Sequence, residues 1–316
     1  GPPPPQTSFA GSYLAANFAA ASGDVKGAAS FYASLLKDDP TNSDLLGRAF
    51  LFAAESGDVD QAIGLTDRVL MLDPDNRPAH LVREVAAIMK KDWPAVGKAD
   101  NGPNAGIFSA VTDQVIQAWG LAGARDFDGA LAALDSLAQQ RGVDGLRTLH
   151  KALILDYAGR DMQAEEAYRV AMATMGSGPR VADAYGRFLL RHNRADEATA
   201  LYRRLGVDNP GHPVVESALR DIAAKKTPQP FVTSPAEGVS EALFGIAASL
   251  TDQRSVDVAI LYLNLTLYLR PDFDLARVLL ANRYEGLSKY DIANTIYSRI
   301  QPGSPYYGMT QVQSAI

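Results

Sequence analysis

Apolar positions recur along this chain at helical spacing, in pairs of short stripes separated by turn residues. One segment shows two stripes, Ala182, Tyr185, Gly186 and Leu189, then Ala198, Tyr202 and Leu205. Spacings of three and four residues place such positions on one face of an α-helix. Residues suited to a helix cap and a tight turn lie between the stripes, as at Asn193-Arg194 and Gly57-Asp58. The pattern predicts an all-α chain built from helix pairs.

These helix pairs repeat with a period of 34 residues. Gly23 to Lys26 reads Gly-Asp-Val-Lys, and the same offset later gives Gly-Asp-Val-Asp. A small residue inside each second helix keeps this register at Ala28, Ala62, Val96, Ala130, Ala164 and Ala198, then again at Ala259 and Ala293. One pair cannot bury both of its stripes, so neighbouring pairs must stack. We therefore expect a solenoid of about eight units.

The repeating residues closely resemble the tetratricopeptide repeat (TPR) family. Its pattern has small residues at the eighth and twentieth positions, a large residue at the twenty-fourth and proline at the thirty-second. The matching residues are Ala16, Ala28, Tyr32 and Pro40 in the first unit, and Ala247, Ala259, Leu263 and Pro271 in the seventh. The resemblance implies a right-handed superhelical solenoid of helix-turn-helix units, over about residues 9–305. A pentatricopeptide array would instead have a period of 35 and a basic face.

Interruptions of the period predict the domain organisation. Residues 1–8 form a flexible, proline-rich N-terminus that looks like a cleavage scar joined to a linker, and residues 9–210 form a six-repeat arm. Residues 211–237 are an insert with an extra helix, Pro213 to Ala224, and an extended segment, Lys225 to Pro235, which is protease-sensitive if it is free. Residues 238–305 are two further units, and 306–316 begin a truncated ninth. In the third unit, Asp100 to Asn104 predicts a shortened second helix and a kink.

Composition narrows the classes of partner. The net charge is -6, and no Lys/Arg run is longer than Lys225-Lys226, so the basic surface that nucleic-acid binding normally needs is missing. The sequence has no run of eighteen apolar residues, so we expect no membrane span in this segment. Cysteine is absent, which excludes disulfides and thiolate chemistry.

Catalytic and metal-binding motifs are missing from the sequence. HExxH, GxxxxGK, GxSxG and calcium-loop patterns do not occur. The four histidines, His80, His150, His192 and His212, are scattered, and we expect structural or solvated roles for them. The sequence therefore predicts a protein that is not an enzyme and uses no cofactor or metal.

The TPR resemblance implies that one face of each first helix lines a concave groove that binds a partner protein or peptide. Carried over residue by residue, the groove presents Tyr13, Asn17, Leu81, Val85, Val115, Trp119, Leu149, Leu153, Tyr157, Arg180, Arg187 and Arg191. The stretch from Leu81 to Leu153 is an apolar strip, which either holds a partner's hydrophobic side chains or packs against itself or the insert. Both alternatives remain open at this point.

The three arginines of the groove, Arg180, Arg187 and Arg191, lie on one helix face. Guanidinium groups this close repel one another unless anionic groups pair with them. A ligand carboxylate or an acidic peptide could supply these anionic groups. The favoured alternative is internal pairing with Asp156, Asp183 or Glu241, because most charge clusters are solvated or paired within the chain.

These inferences make a noncatalytic scaffold, which binds its partner through the concave groove, the leading functional hypothesis. TSFAGSYLAANFAA, GDVKGAASFYASLL and PAEGVSEALFGIAASL also resemble large envelope-associated repeat proteins of alphaproteobacteria. That resemblance implies a periplasmic location and a part in envelope assembly or integrity. Two alternatives stay open: the recognition arm of an enzyme whose catalytic domain lies outside this chain, and a carrier of an apolar ligand. The clamp for chaperone C-termini is disfavoured, because only Asn17 matches it in the opening units.

Overall fold

The structure is a computed structural model that describes residue 15 and residues 25–97, 107–174 and 178–314. Within these residues the chain forms sixteen α-helices, two short 3-10 turns and no strand. The all-α repeat fold predicted from the periodicity is confirmed.

The helices fall into two arms joined by a connector. The N-terminal arm comprises α1 (Val25–Asp38), α2 (Ser43–Glu55), α3 (Val59–Leu72), α4 (Arg77–Met89), α5 (Ile107–Gly123), α6 (Phe127–Asp135), α7 (Asp144–Tyr157), α8 (Asp161–Ala173), α9 (Pro179–Arg191) and α10 (Ala195–Asp208). The connector contains α11 (Pro213–Ala223) and an extended segment, 226–234. The C-terminal arm comprises α12 (Pro235–Ser249), α13 (Val256–Leu269), α14 (Asp274–Gly286), α15 (Tyr290–Tyr297) and α16 (Tyr307–Ser314).

The turn inside each helix pair repeats with the sequence. Residues with positive φ occur at Gly57, Lys91, Arg125, Gly159 and Asn193, at intervals of 34. This left-handed conformation ends the first helix of the pair and turns the chain so that the second helix can begin. Glycine adopts it at least cost, and its recurrence at Lys91 and Arg125 shows that the repeat register, more than the residue type, places the turn.

Small and large residues alternate within each pair as the repeat requires. Ala28, Ala62, Ala130, Ala164 and Ala198 are all fully buried, which lets the two helices approach closely. The large residue four positions later is often tyrosine, and its hydroxyl donates to the preceding helix. Tyr168 donates to Asp156 at 2.7 Å, and Tyr202 donates to Asp183 at 2.6 Å. The pairs α7–α8 and α9–α10 are thus each joined by apolar packing and by a tyrosine hydrogen bond.

The third unit departs from this pattern, as predicted. The described part of the unit has a single 3-10 turn, Trp93–Ala95, where a second helix would begin. Trp93 and Val96 instead pack against α5, because Gly123 and Gly120 leave room for their side chains. The interruption predicted at Asp100 to Asn104 lies outside the described residues.

The C-terminal arm does not simply continue the solenoid. Helix α12 packs against α4, α5 and α7, and α13 packs against α2, α3 and α4. In a simple solenoid each unit contacts only its neighbours. Here the unit that follows the connector folds back onto the concave side of the N-terminal arm, and one continuous core runs from Ala28 to Tyr306.

The connector makes this return possible. Helix α11 begins at Pro213, as the sequence predicts, and covers the end of the N-terminal arm. Its apolar side packs on Ala182, Tyr202 and Leu205. The segment that follows is extended, as expected, but it is not free along its length, because Phe231 and Val232 are buried.

Limited proteolysis tests this division of the connector. We expect trypsin to cleave after Lys225 or Lys226, which are exposed, and chymotrypsin to leave Phe231 intact because its side chain is buried. The measurement is mass analysis of the fragments at early times. Early chymotryptic cleavage after Phe231 would show that the segment is detached in solution.

Candidate functional site

The apolar strip predicted to line the groove is buried beneath the protein's own helices. Its six residues range from 0% to 8% exposed: Leu81, Val85, Val115, Trp119, Leu149 and Leu153. Helices α12 and α13 cover the first helices that carry this strip. Of the two alternatives left open by the sequence, internal packing is what the structure shows, although the covering element is the seventh unit and not the insert. A partner cannot reach these side chains in this conformation.

Trp119 lies at the centre of the covered strip. A Cβ atom added to Gly238 of α12 would stand 2.2 Å from Trp119 Cε2, so the helix backbone itself rests on the indole ring. The indole Nε1 donates to Nδ1 of His150 at 2.9 Å. Tyr157, also predicted for the groove, is half-buried with its ring centroid 6.2 Å from that of Trp119. Tyr13 and Asn17 lie outside the described residues.

His150 acts as a buried neutral acceptor. Burial lowers its pKa to about 4, against a smaller opposing effect from Glu241. Since Nδ1 accepts the indole proton, the ring proton is on Nε2, which has no hydrogen-bond partner among the described residues. The structural role expected for this histidine is confirmed, and its neutral form is part of the packing.

The three arginines of the predicted anion site are paired within the chain. Arg180 donates from Nε and Nη2 to the two carboxylate oxygens of Glu241, at 2.9 and 2.5 Å. Arg187 donates to Asp183 at 3.3 Å, and Arg191 donates to Asp156 at 2.5 Å. Internal pairing with Asp156, Asp183 and Glu241, the alternative that the sequence favours, is what this conformation shows.

Arg180 also stands among three aromatic rings from separate parts of the chain. Its guanidinium carbon lies 4.5 Å from the ring centroid of Phe231, 4.9 Å from that of Phe273 and 5.6 Å from that of Phe244. These rings belong to the connector, the residue before α14, and α12. Cation–π attraction and the bidentate ion pair therefore act on one side chain. Arg180 joins the N-terminal arm to α12, to the connector and to the residue that precedes α14.

Helix α13 makes a second set of contacts with the N-terminal arm, which we call the α13 seam. The amide of Asn264 donates to the carbonyl oxygen of Glu55 at 2.8 Å and to that of Ala54 at 3.4 Å, and so caps the end of α2. Tyr268 donates to Asp60 at 3.1 Å. Thr112 and Tyr262 share a hydrogen bond of 2.9 Å between their hydroxyl groups. Residues more than a hundred positions apart thus complete one another's hydrogen bonds.

A large surface cavity lies on the other side of the repeats. We call it the outer channel: a cavity of about 510 Å³ between α6 and α8, with α7 as its floor. Leu131, Met162 and Val170 form its apolar walls, and Met162 is 91% exposed. Arg147 and Lys151 lie in the floor, and the exposed acids Asp135 and Glu166 stand at the rim. Sequence reasoning missed this channel because it considered only the first-helix face that lines the concave side.

Within the described ranges, no group of three or more histidine, cysteine or carboxylate side chains is placed to hold a metal ion. No helix in those ranges is both long enough and apolar enough to cross a bilayer.

Comparison with known proteins supports the repeat assignment. The tetratricopeptide repeat family matches residues 19–84. No curated protein matches the chain significantly. Residues 19–84 therefore match tetratricopeptide repeats, as the resemblance in the sequence predicts.

Solved structures of repeat proteins also align with the chain. They include the APC/C hetero-tetramer Cut9–Hcn1 (15% identity, 96% of this chain and 55% of that chain, TM-score 0.38). MamA from AMB-1 aligns at 17% identity over 61% of this chain and 90% of that chain, with a TM-score of 0.26. Yeast Tom70 aligns at 11% identity over 97% and 95%, with a TM-score of 0.25. The chain spans about half the length of the first of these, and the similarity is too low to transfer a function.

Because Gly238 contacts Trp119, alanine substitutions at two glycines of α12 should change the stability of the protein by different amounts. Gly238→Ala forces a methyl group into the indole ring and should lower the free energy of unfolding by about 1–3 kcal/mol. Gly245→Ala is the matched control, since its nearest neighbour would be 3.8 Å away. That change should be neutral or stabilising by up to about 1 kcal/mol. Urea denaturation measures both, and equal effects would contradict the packing described.

Loss of the buried ion pair of Arg180 should destabilise the protein more than loss of an exposed ion pair. Arg180→Met leaves the carboxylate of Glu241 buried without its partner and should destabilise the protein by about 3–5 kcal/mol. Arg169→Met removes an exposed ion pair with Glu165 and should cost less than about 1 kcal/mol. In a double-mutant cycle, adding Glu241→Gln to Arg180→Met should recover part of the loss. Additive single effects in that cycle would show that the pair is not coupled.

Proposed function

We propose that this chain is a noncatalytic protein-interaction scaffold that binds its partner through the outer channel. One observation carries the proposal: α12 and α13 fill the concave groove, whereas the outer channel is open. A scaffold needs an accessible surface that combines an apolar anchor site with directional polar groups. The outer channel combines these features in a volume of about 510 Å³.

The walls of the channel suit a large apolar side chain. Met162 is almost fully exposed at the edge of the channel, and Val170, about two turns further along α8, is half-exposed. Methionine is flexible and polarisable, which lets it adapt to different apolar partners. Buried Leu155 closes the floor beneath them. An apolar side chain of a partner would remove this surface from water.

The floor of the channel suits an acidic group beside that side chain. Lys151 forms no ion pair with any described residue. Arg147 reaches Asp144 at 3.4 Å, and its Nε atom has no hydrogen-bond partner within the described part of the chain. The rim acids Asp135 and Glu166 are exposed and well solvated. The partner we propose is therefore a short segment with an apolar side chain and a carboxylate that meets Lys151 and Arg147.

We also propose that the scaffold works in the periplasm, in envelope assembly or integrity. Support comes from the three stretches that resemble alphaproteobacterial envelope proteins, of which the last forms α12. Fractionation of cells that express the tagged native gene tests this location. Recovery of the protein in the cytoplasmic fraction alone would contradict it.

The alternative of an apolar-ligand carrier receives no support from the groove. Side chains of α12 and α13 occupy the space where such a cargo would lie, and the cavity left beside α13 is only about 170 Å³. The recognition-arm alternative makes use of the same outer channel and depends on sequence outside this chain.

Substitution of Met162 tests the outer channel. Met162→Glu places a charge in the apolar wall and should reduce recovery of a partner by at least about tenfold in affinity capture. The control is Met71→Glu, because Met71 is 82% exposed on α3, away from the channel. Lys151→Glu, compared with Lys225→Glu, tests the acidic group in the same way. A partner that all four variants capture equally would place the interface elsewhere.

A further inference from the structure

A cavity of about 160 Å³ lies where the two arms and the connector meet, and we call it the junction cavity. Its walls come from α9, the connector, the segment before α14 and the segment before α16. Three aromatic side chains line it, Phe231, Phe273 and Tyr306, and they are only 2% to 8% exposed. Asp272 and Pro305 also line the cavity and are exposed, so it opens to solvent.

Arg270 lines the junction cavity with a guanidinium group whose donors are almost unused. It follows the last residue of α13, and its side chain is 20% exposed. Its Nε atom is buried and has no hydrogen-bond partner among the described residues. That atom lies 3.5 Å from a carboxylate oxygen of Asp272, but this carboxylate is 84% exposed, and such an ion pair contributes little. A largely buried guanidinium without acceptors is unfavourable, so Arg270 lacks an anionic partner.

Arg187 lines the same cavity from the N-terminal arm. Its guanidinium carbon lies 5.6 Å from the ring centroid of Phe231, and its side chain is 31% exposed. Its Nε atom donates to Asp183 at 3.3 Å, and the guanidinium also acts on the hydroxyl of Tyr202. A guanidinium carries five N–H donors, and these contacts use at most two of them. One arginine from each arm thus brings unused donors to the junction cavity.

The carboxylates around the junction cavity already have partners of their own. Glu241 is held by Arg180 at 2.5 Å, and Asp274 is held by Arg277 at 3.1 Å. Asp183 accepts a second hydrogen bond, of 2.6 Å, from a tyrosine hydroxyl. The remaining acid of the wall is the exposed one that faces solvent. The cavity therefore has donors to spare, and an added oxyanion would complete it.

The size and the lining of the cavity indicate which oxyanion fits. An engineered apolar cavity of about 150 Å³ holds one benzene ring, so this cavity has room for a single ring. Its three aromatic side chains can pack against such a ring in stacked or edge-to-face arrangements. A planar carboxylate matches the fork of a guanidinium and has two oxygens, one for each arginine. A bare phosphate ion would leave the aromatic walls without a partner.

We propose that the junction cavity binds a small aromatic carboxylic acid, whose carboxylate bridges Arg187 of the N-terminal arm and Arg270 of the C-terminal arm. The inference goes beyond the proposed function and does not depend on the outer channel. Because the bound acid contacts both arms, its binding stabilises the folded-back arrangement of the chain.

Fluorine NMR of the full chain with 4-fluorobenzoate as the probe tests the binding. We expect saturable binding in the millimolar range, because so small a ligand makes few contacts. Benzoate should displace the probe, whereas benzamide, which has the same shape without the charge, and inorganic phosphate should each displace it at least about tenfold less well. Absence of probe binding, or equal displacement by benzamide or by phosphate, would overturn the proposal.

A competition arm separates a free acid from the end of a protein chain. An acetylated tripeptide that ends in phenylalanine presents a ring and a carboxylate attached to a chain. We expect it to displace the probe less well than benzoate does, because the cavity holds one ring and little else. Tighter binding of the peptide would assign the cavity to a chain terminus, and the free-acid proposal would then be wrong.

Substitution of Arg270 tests the bridge. Arg270→Gln removes the guanidinium and should weaken binding of the probe by at least about tenfold. Arg299→Gln is the matched control, since it removes an exposed arginine of the same arm that does not line the cavity, and it should bind as the wild type does. Equal binding by both variants would contradict the proposal.

Circular dichroism checks that these variants fold. If Arg270→Gln does not fold, Arg270→Lys keeps the charge without the planar fork and should still weaken binding by about threefold or more. Unchanged binding by a folded Arg270→Lys would then count against a bridging carboxylate.

Discussion

The rest of the architecture depends on the seating of α12 on the indole of Trp119. At Gly238 the helix backbone touches the ring, so no side chain separates the two arms. That approach brings the carboxylate of Glu241 to Arg180 and lays α13 along α2, α3 and α4. The hydrogen bond from Trp119 to His150 holds the ring in the orientation that this contact requires.

Apolar burial and the ion pair contribute differently to this arrangement. The continuous core supplies the favourable free energy, because it removes the concave strip and the faces of α12 and α13 from water. The buried pair of Arg180 and Glu241 carries a desolvation cost that its geometry and three aromatic neighbours offset. This placement of α12 brings the carboxylate of Glu241 to the guanidinium of Arg180 and so satisfies both buried charges.

The fold-back changes what a repeat scaffold of this kind exposes. The surface that the repeats present inward is covered within the chain, and the outer channel stays open. The outer channel combines apolar walls with basic residues in its floor.

The sequence by itself determined the local architecture. Its 34-residue period predicted the helix pairs, the turn at Gly57, the buried alanines, the irregular third unit and the helix that begins at Pro213. It also indicated which acidic residues pair with the three arginines, because the repeat register places these acids close to the arginine-bearing helix. Only the tertiary structure decided what covers the concave strip. Periodicity shows which side chains point inward. The connector interrupts the 34-residue period, so the period does not predict against which helices α12 packs. The outer channel likewise depends on side chains from different helices, which a one-dimensional pattern does not bring together.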